Sequence, residues 1–116
     1  MAPIAVVVNG ATGKMGTETV GAVGWQDDLA LVGAVCRRER GPKLTLPDGA
    51  EVPLSTNLGD LLQQTRPDVL VDFTNATACM EAALVGAALS TNLVLGASGL
   101  TDDDLSRLDA LAKDKS

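Results

Sequence analysis

Asn9-Gly10-Ala11-Thr12-Gly13-Lys14-Met15-Gly16 is the stretch that decides the fold, because the apolar run Ile4-Ala5-Val6-Val7-Val8 enters it and a helix-like pattern leaves it. A short, β-branched run without polar alternation predicts a strand covered on both faces, as in a parallel sheet. Gly10, Gly13 and Gly16 recur at intervals of three. They let the turn be tight, let the backbone approach an anion and let a helix pack hard on the strand. The helix that follows aims its unpaired N–H groups and the positive end of its dipole at that gap, which favours a phosphate without a charged side chain. The stretch reads as a phosphate cradle. Its G-x-x-G-x-x-G spacing differs from the commonest dinucleotide fingerprint, G-x-G-x-x-G, and alone it also fits a plain strand-turn-helix corner. Lys14 offers either a phosphate contact or ordinary surface charge.

Met15, Thr19, Val20 and Val23 give the leaving helix an apolar face, with Gly24 as its terminator. Trp25 then caps the edge of the core. After the polar turn Asp27-Asp28, Leu29 to Cys36 forms a second buried strand, about twenty residues beyond the glycines, and completes a βαβ unit. The residue after that second strand meets the adenosine ribose: a carboxylate there suits the 2′-hydroxyl of NAD, and Arg suits the 2′-phosphate of NADP. Arg37-Arg38 hold the place, with Glu39 and Arg40 behind them. Two guanidiniums offer bidentate phosphate binding, and the competing reading is a solvated charge run on a loop.

Gly41 to Thr56 holds Pro42, Pro47 and Pro53 and two alternating stretches around Asp48-Gly49, a hairpin signal. A loop excursion with a small β-ribbon at the adenosine end or at an edge is expected there. Thr56 or Asn57 caps a short helix through Leu58, Leu61 and Leu62 that closes at Arg66-Pro67. Val69-Leu70-Val71 is a third buried strand ending in Asp72-Phe73-Thr74-Asn75. Ligands of open α/β sheets sit beyond the carboxyl ends of the strands, so this tetrapeptide faces the same crevice as the glycine turn. Thr74 or Asn75 also suits a helix cap, and Phe73 is either core or a wall beside the ligand. The helix Thr77 to Leu89 presents Met80, Ala83, Leu84 and Ala87 on one face. Asn92 to Leu95 is the fourth strand and ends in Gly96-Ala97-Ser98-Gly99, before a last helix opened by Thr101 and three aspartates. Strand and helix alternate without internal repeats, which predicts an α/β fold: a Rossmann-type doubly wound parallel sheet, as a single domain over 1–116.

At 116 residues the chain can bury a real core but is small for a complete two-substrate enzyme. Aromatics are only 2% of it, so Val, Leu, Ala and Ile must build that core. His and Tyr are absent, which leaves acid–base chemistry to carboxylates, Lys or Cys. A net charge of −6 argues against nucleic acid or an anionic membrane as a partner. Cys36 and Cys79 lack metal-ligand or C-x-x-C spacing and suit buried thiols of a cytosolic protein; no metal site is expected. No apolar run reaches the length of a membrane span, and no signal peptide is recognisable, so a soluble cytoplasmic protein is expected.

Three ordered motifs together resemble the 4-hydroxy-tetrahydrodipicolinate (dihydrodipicolinate) reductases, in their N-terminal nucleotide-binding domain. The family's pyrophosphate turn Gly-Ala-x-Gly-(Arg/Lys)-Met-Gly is matched by Gly10 to Gly16, and its Asp-Phe-Thr strand end by Asp72-Phe73-Thr74. Its Gly-Thr-Thr-Gly loop near the nicotinamide corresponds to Gly96-Ala97-Ser98-Gly99, which lacks both threonines and keeps a hydroxyl only at Ser98. The resemblance implies that Gly10, Ala11, Thr12, Gly13, Lys14, Met15, Arg37, Arg38, Phe73, Thr74, Gly96, Ala97 and Ser98 contact a dinucleotide. Arg37 stands where many members carry an acidic ribose ligand, so the expected cofactor is NADPH, with NADH possible. It further implies hydride transfer to a cyclic dicarboxylate in lysine and diaminopimelate biosynthesis, and a homo-oligomeric parent. The family's catalytic groups lie in a C-terminal domain that this sequence does not contain, so no catalytic residue is assigned and the chain alone is expected to be inactive. Two alternatives stand beside this reading. One is a nucleotide-sensing module without catalysis; the other is a short-chain-dehydrogenase-like reductase, whose usual acid is ruled out by the lack of Tyr.

Overall fold

The computed structural model describes residues 3–11, 14–24, 26, 28–37, 41, 43–46, 49–89, 91–96 and 100–115, with the backbone alone at 14, 15, 24 and 112–115. Six strands and four helices follow one another as β1 (Ile4–Asn9), α1 (Lys14–Gly24), β2 (Leu29–Val35), β3 (Lys43–Thr45), β4 (Glu51–Ser55), α2 (Leu58–Thr65), β5 (Val69–Asp72), α3 (Ala76–Ala88), β6 (Asn92–Leu95) and α4 (Asp102–Lys115). They build one sheet in the order β3-β4-β2-β1-β5-β6, parallel except where β3 runs against β4. The chain therefore winds outward from β1 on one side, then crosses back past it to β5. Between β1 and β5 lies the reversal of strand order at which open α/β sheets bind ligands.

Alternation along β1 divides the core in two. Val6 and Val8 face α1 and join Val20, Val23, Leu31, Ala34, Val52 and Leu54. Val7 faces the other way and joins Leu61 and Leu62 of α2, Leu70 of β5 and Ala82 of α3. Burying each Val or Leu stabilises the fold by about 1.5–3 kcal/mol relative to leaving it exposed. A bulge in β2 interrupts the register: Val6 pairs with Leu31 but Val7 with Gly33, which leaves Val32 as the extra residue. The bulge puts Gly33 under Leu61, whose Cδ2 lies 3.1 Å from where a Gly33 Cβ would be.

The expected order of strands and helices is present, with three differences. The stretch expected to be a loop excursion is part of the main sheet, since β4 pairs parallel with β2 (Ala34 with Leu54, Val35 with Ser55) while also closing a hairpin with β3. Leu46 N–H bonds to the Ala50 carbonyl at 2.7 Å to close that turn, and Gly49 takes φ +89°. Leu84, expected on the buried face of α3, is 46% exposed; the helix instead buries Cys79, Met80, Ala82, Ala83, Gly86 and Ala87. Small residues can lie on the sheet itself: Gly86 comes so close to β6 that a Cβ would stand 2.6 Å from Leu93 Cδ2. Isoleucine contributes nothing to the core, because the chain's one example, Ile4, is 45% exposed. Cys36 and Cys79 are buried and not disulfide-bonded. Trp25 and Asp48 lie outside the described residues. Among the described residues no helix is long and apolar enough to cross a membrane.

The helix caps follow the sequence. Asn57 accepts from Asp60 N–H at 3.0 Å to start α2, and Asn75 accepts from Ala78 N–H at 2.9 Å to start α3. Arg66 ends α2 in the left-handed region (φ 46°), ahead of Pro67.

The contact that seats α1 on β1 is Gly16. A Cβ there would stand 2.7 Å from the Gly10 carbonyl carbon and closer still to its oxygen, against backbone that cannot swing aside. Gly21, in the same helix, has open space around it. Gly16→Ala should therefore destabilise the chain by about 3 kcal/mol in urea unfolding, whereas Gly21→Ala should stabilise it by about 0.5–1 kcal/mol through helix propensity. Equal effects of the two substitutions would show that α1 is not held against Gly10.

Candidate nucleotide-binding cleft

The carboxyl ends of β1, β2 and β5 open into a cleft of about 750 Å³. Its floor is Asn9, Gly10, Val35 and Cys36, with Arg37 at the end of β2 and Phe73, Thr74 and Asn75 at the end of β5. Thr56 and Leu58 at the start of α2, and Ala78, Glu81, Ala82 and Val85 along α3, line the cleft as well.

Asp72 organises the floor. It is fully buried, yet three donors converge on it: Asn9 Nδ2 at 3.0 Å, Thr74 N–H at 2.7 Å and the Thr74 hydroxyl at 2.5 Å. A carboxylate offers only acceptors, and this arrangement gives each of its two oxygens a donor. Asn9 and Asp72 are register partners on adjacent strands, which is why their side chains meet. The Asp72 carbonyl accepts from Gly96 N–H at 2.8 Å, and Phe73 N–H donates to the Asn9 carbonyl at 3.2 Å. One residue thereby ties together the ends of β1, β5 and β6.

Gly10 turns the chain out of β1 with φ +82°, a conformation that suits glycine, and its missing Cβ leaves room for Thr74 Cγ2, 3.1 Å from where that Cβ would be. Both Gly10 and Ala11 donate their N–H to the Val35 carbonyl, at 2.9 and 3.1 Å. Those two amides are therefore committed to the fold. The first turn of α1, where a helix has N–H groups without intrahelical acceptors, is pinned by the Thr17 hydroxyl to the Ala11 carbonyl at 3.2 Å. Gly96 has a steric role: a Cβ there would stand 2.6 Å from Phe73 Cδ1, so the ring can lie against the end of β6.

Of the residues singled out from sequence, Gly10, Arg37, Phe73 and Thr74 line the cleft. Ala11 is buried beneath it, and Gly96 borders Phe73. Thr12, Gly13, Arg38, Ala97 and Ser98 lie outside the described residues, as do the side chains of Lys14 and Met15. The α3 wall was not foreseen. Its signal is the spacing Ala78, Glu81, Ala82, Val85, one stripe of a helix that begins at a polar strand end. Asn75 lines the cleft, as expected of the Asp72-Phe73-Thr74-Asn75 strand end, while Asn9 was visible only as the first residue of the glycine turn. Among the described residues no cluster of three or more His, Cys, Asp or Glu could hold a metal ion.

The Asp72 arrangement makes a testable demand. Asp72→Asn replaces one acceptor by an NH2 group facing donors, and should cost about 2 kcal/mol in urea unfolding. A change within 0.5 kcal/mol would show that the three hydrogen bonds do not hold the floor together.

Residues 4–116 match the protein family described as dihydrodipicolinate reductase, N-terminus. A 4-hydroxy-tetrahydrodipicolinate reductase of Dehalococcoides mccartyi is 46% identical over 114 residues, 97% of this chain and 43% of the relative. The structure of a dihydrodipicolinate reductase from Paenisporosarcina sp. TG-14, solved with dipicolinate bound, superposes with a TM-score of 0.82 at 30% identity, over 97% of this chain and 44% of that one. GenD2 from gentamicin A biosynthesis, solved with NAD, shares the fold at 19% identity with a TM-score of 0.79, over 99% of this chain and 33% of that one. The chain thus spans less than half the length of these relatives.

Proposed function

Because this chain belongs to the dihydrodipicolinate reductase family, through the N-terminal part that residues 4–116 match, we propose that it is the reductase's dinucleotide-binding domain and that its cofactor is NADPH, with NADH as the weaker ligand. The observation that carries this reading is the cleft itself: a volume of about 750 Å³ at the reversal of strand order, floored by the Gly10 turn and edged by Arg37. The residues present fit such a ligand. A Gly16 without a Cβ brings the start of α1 to within contact of the Gly10 carbonyl, so the unpaired N–H groups of that helix are available to a pyrophosphate.

In this reading the first turn of α1, with Gly13 and Lys14, holds the pyrophosphate. Arg37 and Arg38 take the 2′-phosphate, and Phe73, Thr74 and the 96–98 loop border the nicotinamide. The bound cofactor supplies a hydride donor. The chain's own residues bind and orient it: the Asp72 hydrogen bonds keep Thr74 and Phe73 at the strand end, and the Phe73 ring against Gly96 excludes water from that side. The cyclic dicarboxylate, the catalytic groups and assembly into a homo-oligomer belong to the part of the relatives' length that this chain does not span. Reduction within lysine and diaminopimelate biosynthesis, in the cytoplasm, is the role that follows for the whole protein.

Titration with NADPH and with NADH, read by nicotinamide fluorescence and thermal shift, tests the reading. Saturation at about 100 times Kd should stabilise the chain by about 2.7 kcal/mol. Absence of any shift with both at millimolar concentration would overturn it. Arg37→Asp should weaken NADPH by about tenfold or more while leaving NADH within about twofold, since a guanidinium–phosphate contact is worth roughly 1.5–3 kcal/mol. Equal losses for both cofactors would make Arg37 a surface charge only.

A further inference from the structure

The stripe of α3 that walls the cleft is Ala78, Glu81, Ala82 and Val85, and Leu58 of α2 continues it. Ala82 is 2% exposed, Leu58, Ala78 and Val85 are half-buried, and Glu81 alone is charged. The other four residues make an apolar stretch of the lining with one carboxylate beside it. Among the described residues the Glu81 carboxylate makes no hydrogen bond or ion pair, so its acceptor oxygens are available to a ligand. It lines the same cleft as Arg37 at the end of β2.

A carboxylate in a cleft for an anionic dinucleotide has to face an uncharged part of it that donates a hydrogen bond. The phosphates belong at the other end, at the Gly10 turn and the start of α1. The ribose belongs beside Arg37. What remains for the apolar stretch is the base, whose faces are apolar and whose edge, in adenine, carries a 6-amino donor. We infer that Glu81 is a specificity-determining residue: its carboxylate accepts a hydrogen bond from the 6-amino group of a purine lodged against Leu58, Ala78, Ala82 and Val85, so that the cleft takes a 6-aminopurine and discriminates against a 6-oxopurine. The inference rests on the dinucleotide reading above and deepens it. Discrimination arises because a 6-oxo group sets an acceptor against an acceptor, and each loses the partner it had in water.

The test compares NADPH, NADH and nicotinamide hypoxanthine dinucleotide phosphate on the full chain and on its Glu81→Gln variant, at fixed pH and salt. The wild-type chain should bind the amino form about tenfold more tightly than the oxo form, the range expected of a charge-assisted hydrogen bond at a partly open site. A glutamine amide can turn to donate or to accept. The variant's amino-to-oxo ratio should therefore fall to about twofold or less, with its NADPH-to-NADH ratio unchanged. Glu81 is an exposed helix residue, so an unchanged thermal unfolding curve is expected and checks that the variant is folded. Equal binding of amino and oxo forms by the wild type, or a tenfold ratio retained by Glu81→Gln, overturns the inference and leaves the dinucleotide reading standing. A change in the NADPH-to-NADH ratio alone also overturns it, because Glu81 would then act on the ribose. Failure of every dinucleotide to bind the wild type overturns the dinucleotide reading, and the inference with it.

Discussion

Gly16 lies against the carbonyl of Gly10, at a separation that only a residue without a Cβ tolerates. From that contact follow the seating of α1 on the sheet, the cover over Val6 and Val8, and the direction in which the helix dipole points. A helix held one side chain further away would leave the core on that face underpacked and would move its unpaired amides from the cleft. The cradle and the core are thus consequences of one close approach. Asp72 does the equivalent on the other side of β1, where hydrogen bonds rather than packing set the spacing between strand ends. Because β1 and β5 send their chains to opposite faces, each end needs its own fastening, and a crevice opens between the two.

Much of this architecture could be read from the chain. The β-branched run before Gly10, the glycine spacing and the twenty-residue interval to Leu29–Val35 are ambiguous singly but together describe a βαβ unit. The strand end Asp72-Phe73-Thr74 was legible for the same reason: polar residues after a buried strand have few places to go. Other features depended on long-range pairing that no local pattern encodes. Three prolines made Gly41 to Thr56 look like an excursion, yet Pro53 sits in β4 where it faces Lys43 of the edge strand β3, so β4 could still join β2. The bulge at Val32 leaves no mark in an unbroken apolar run. In α3 almost every position is Ala, Gly or apolar, so its periodicity could not say which arc met the sheet, which met its neighbours and which faced the cleft; Leu84 and Glu81 were misread or unread for that one reason. Nor could the glycine motif say that the first two amides of the turn were already taken by Val35.

The cleft also shows how little the net charge of a protein says about its binding site. The chain carries a formal charge of −6, and a diffuse negative field of that kind slows the approach of an anionic ligand. Local groups act differently: a guanidinium such as that of Arg37, which lines the cleft at the end of β2, acts over a few ångströms, inside the range where salt does not screen it. Glu81 and Arg37 both line the cleft, which thereby carries a side chain of each charge.

β6 occupies the end of the sheet, with β5 as its partner on one side, and its Val94 is 54% exposed. Strands in that position are normally blunted by a charge, a proline or a bulge, and Asn92-Leu93-Val94-Leu95 carries none of these. Among the described residues its outer row of amides and carbonyls faces no further strand, so this is the edge at which additional chain would extend the sheet, and the sheet can grow there without disturbing the cleft at the ends of β1, β2 and β5.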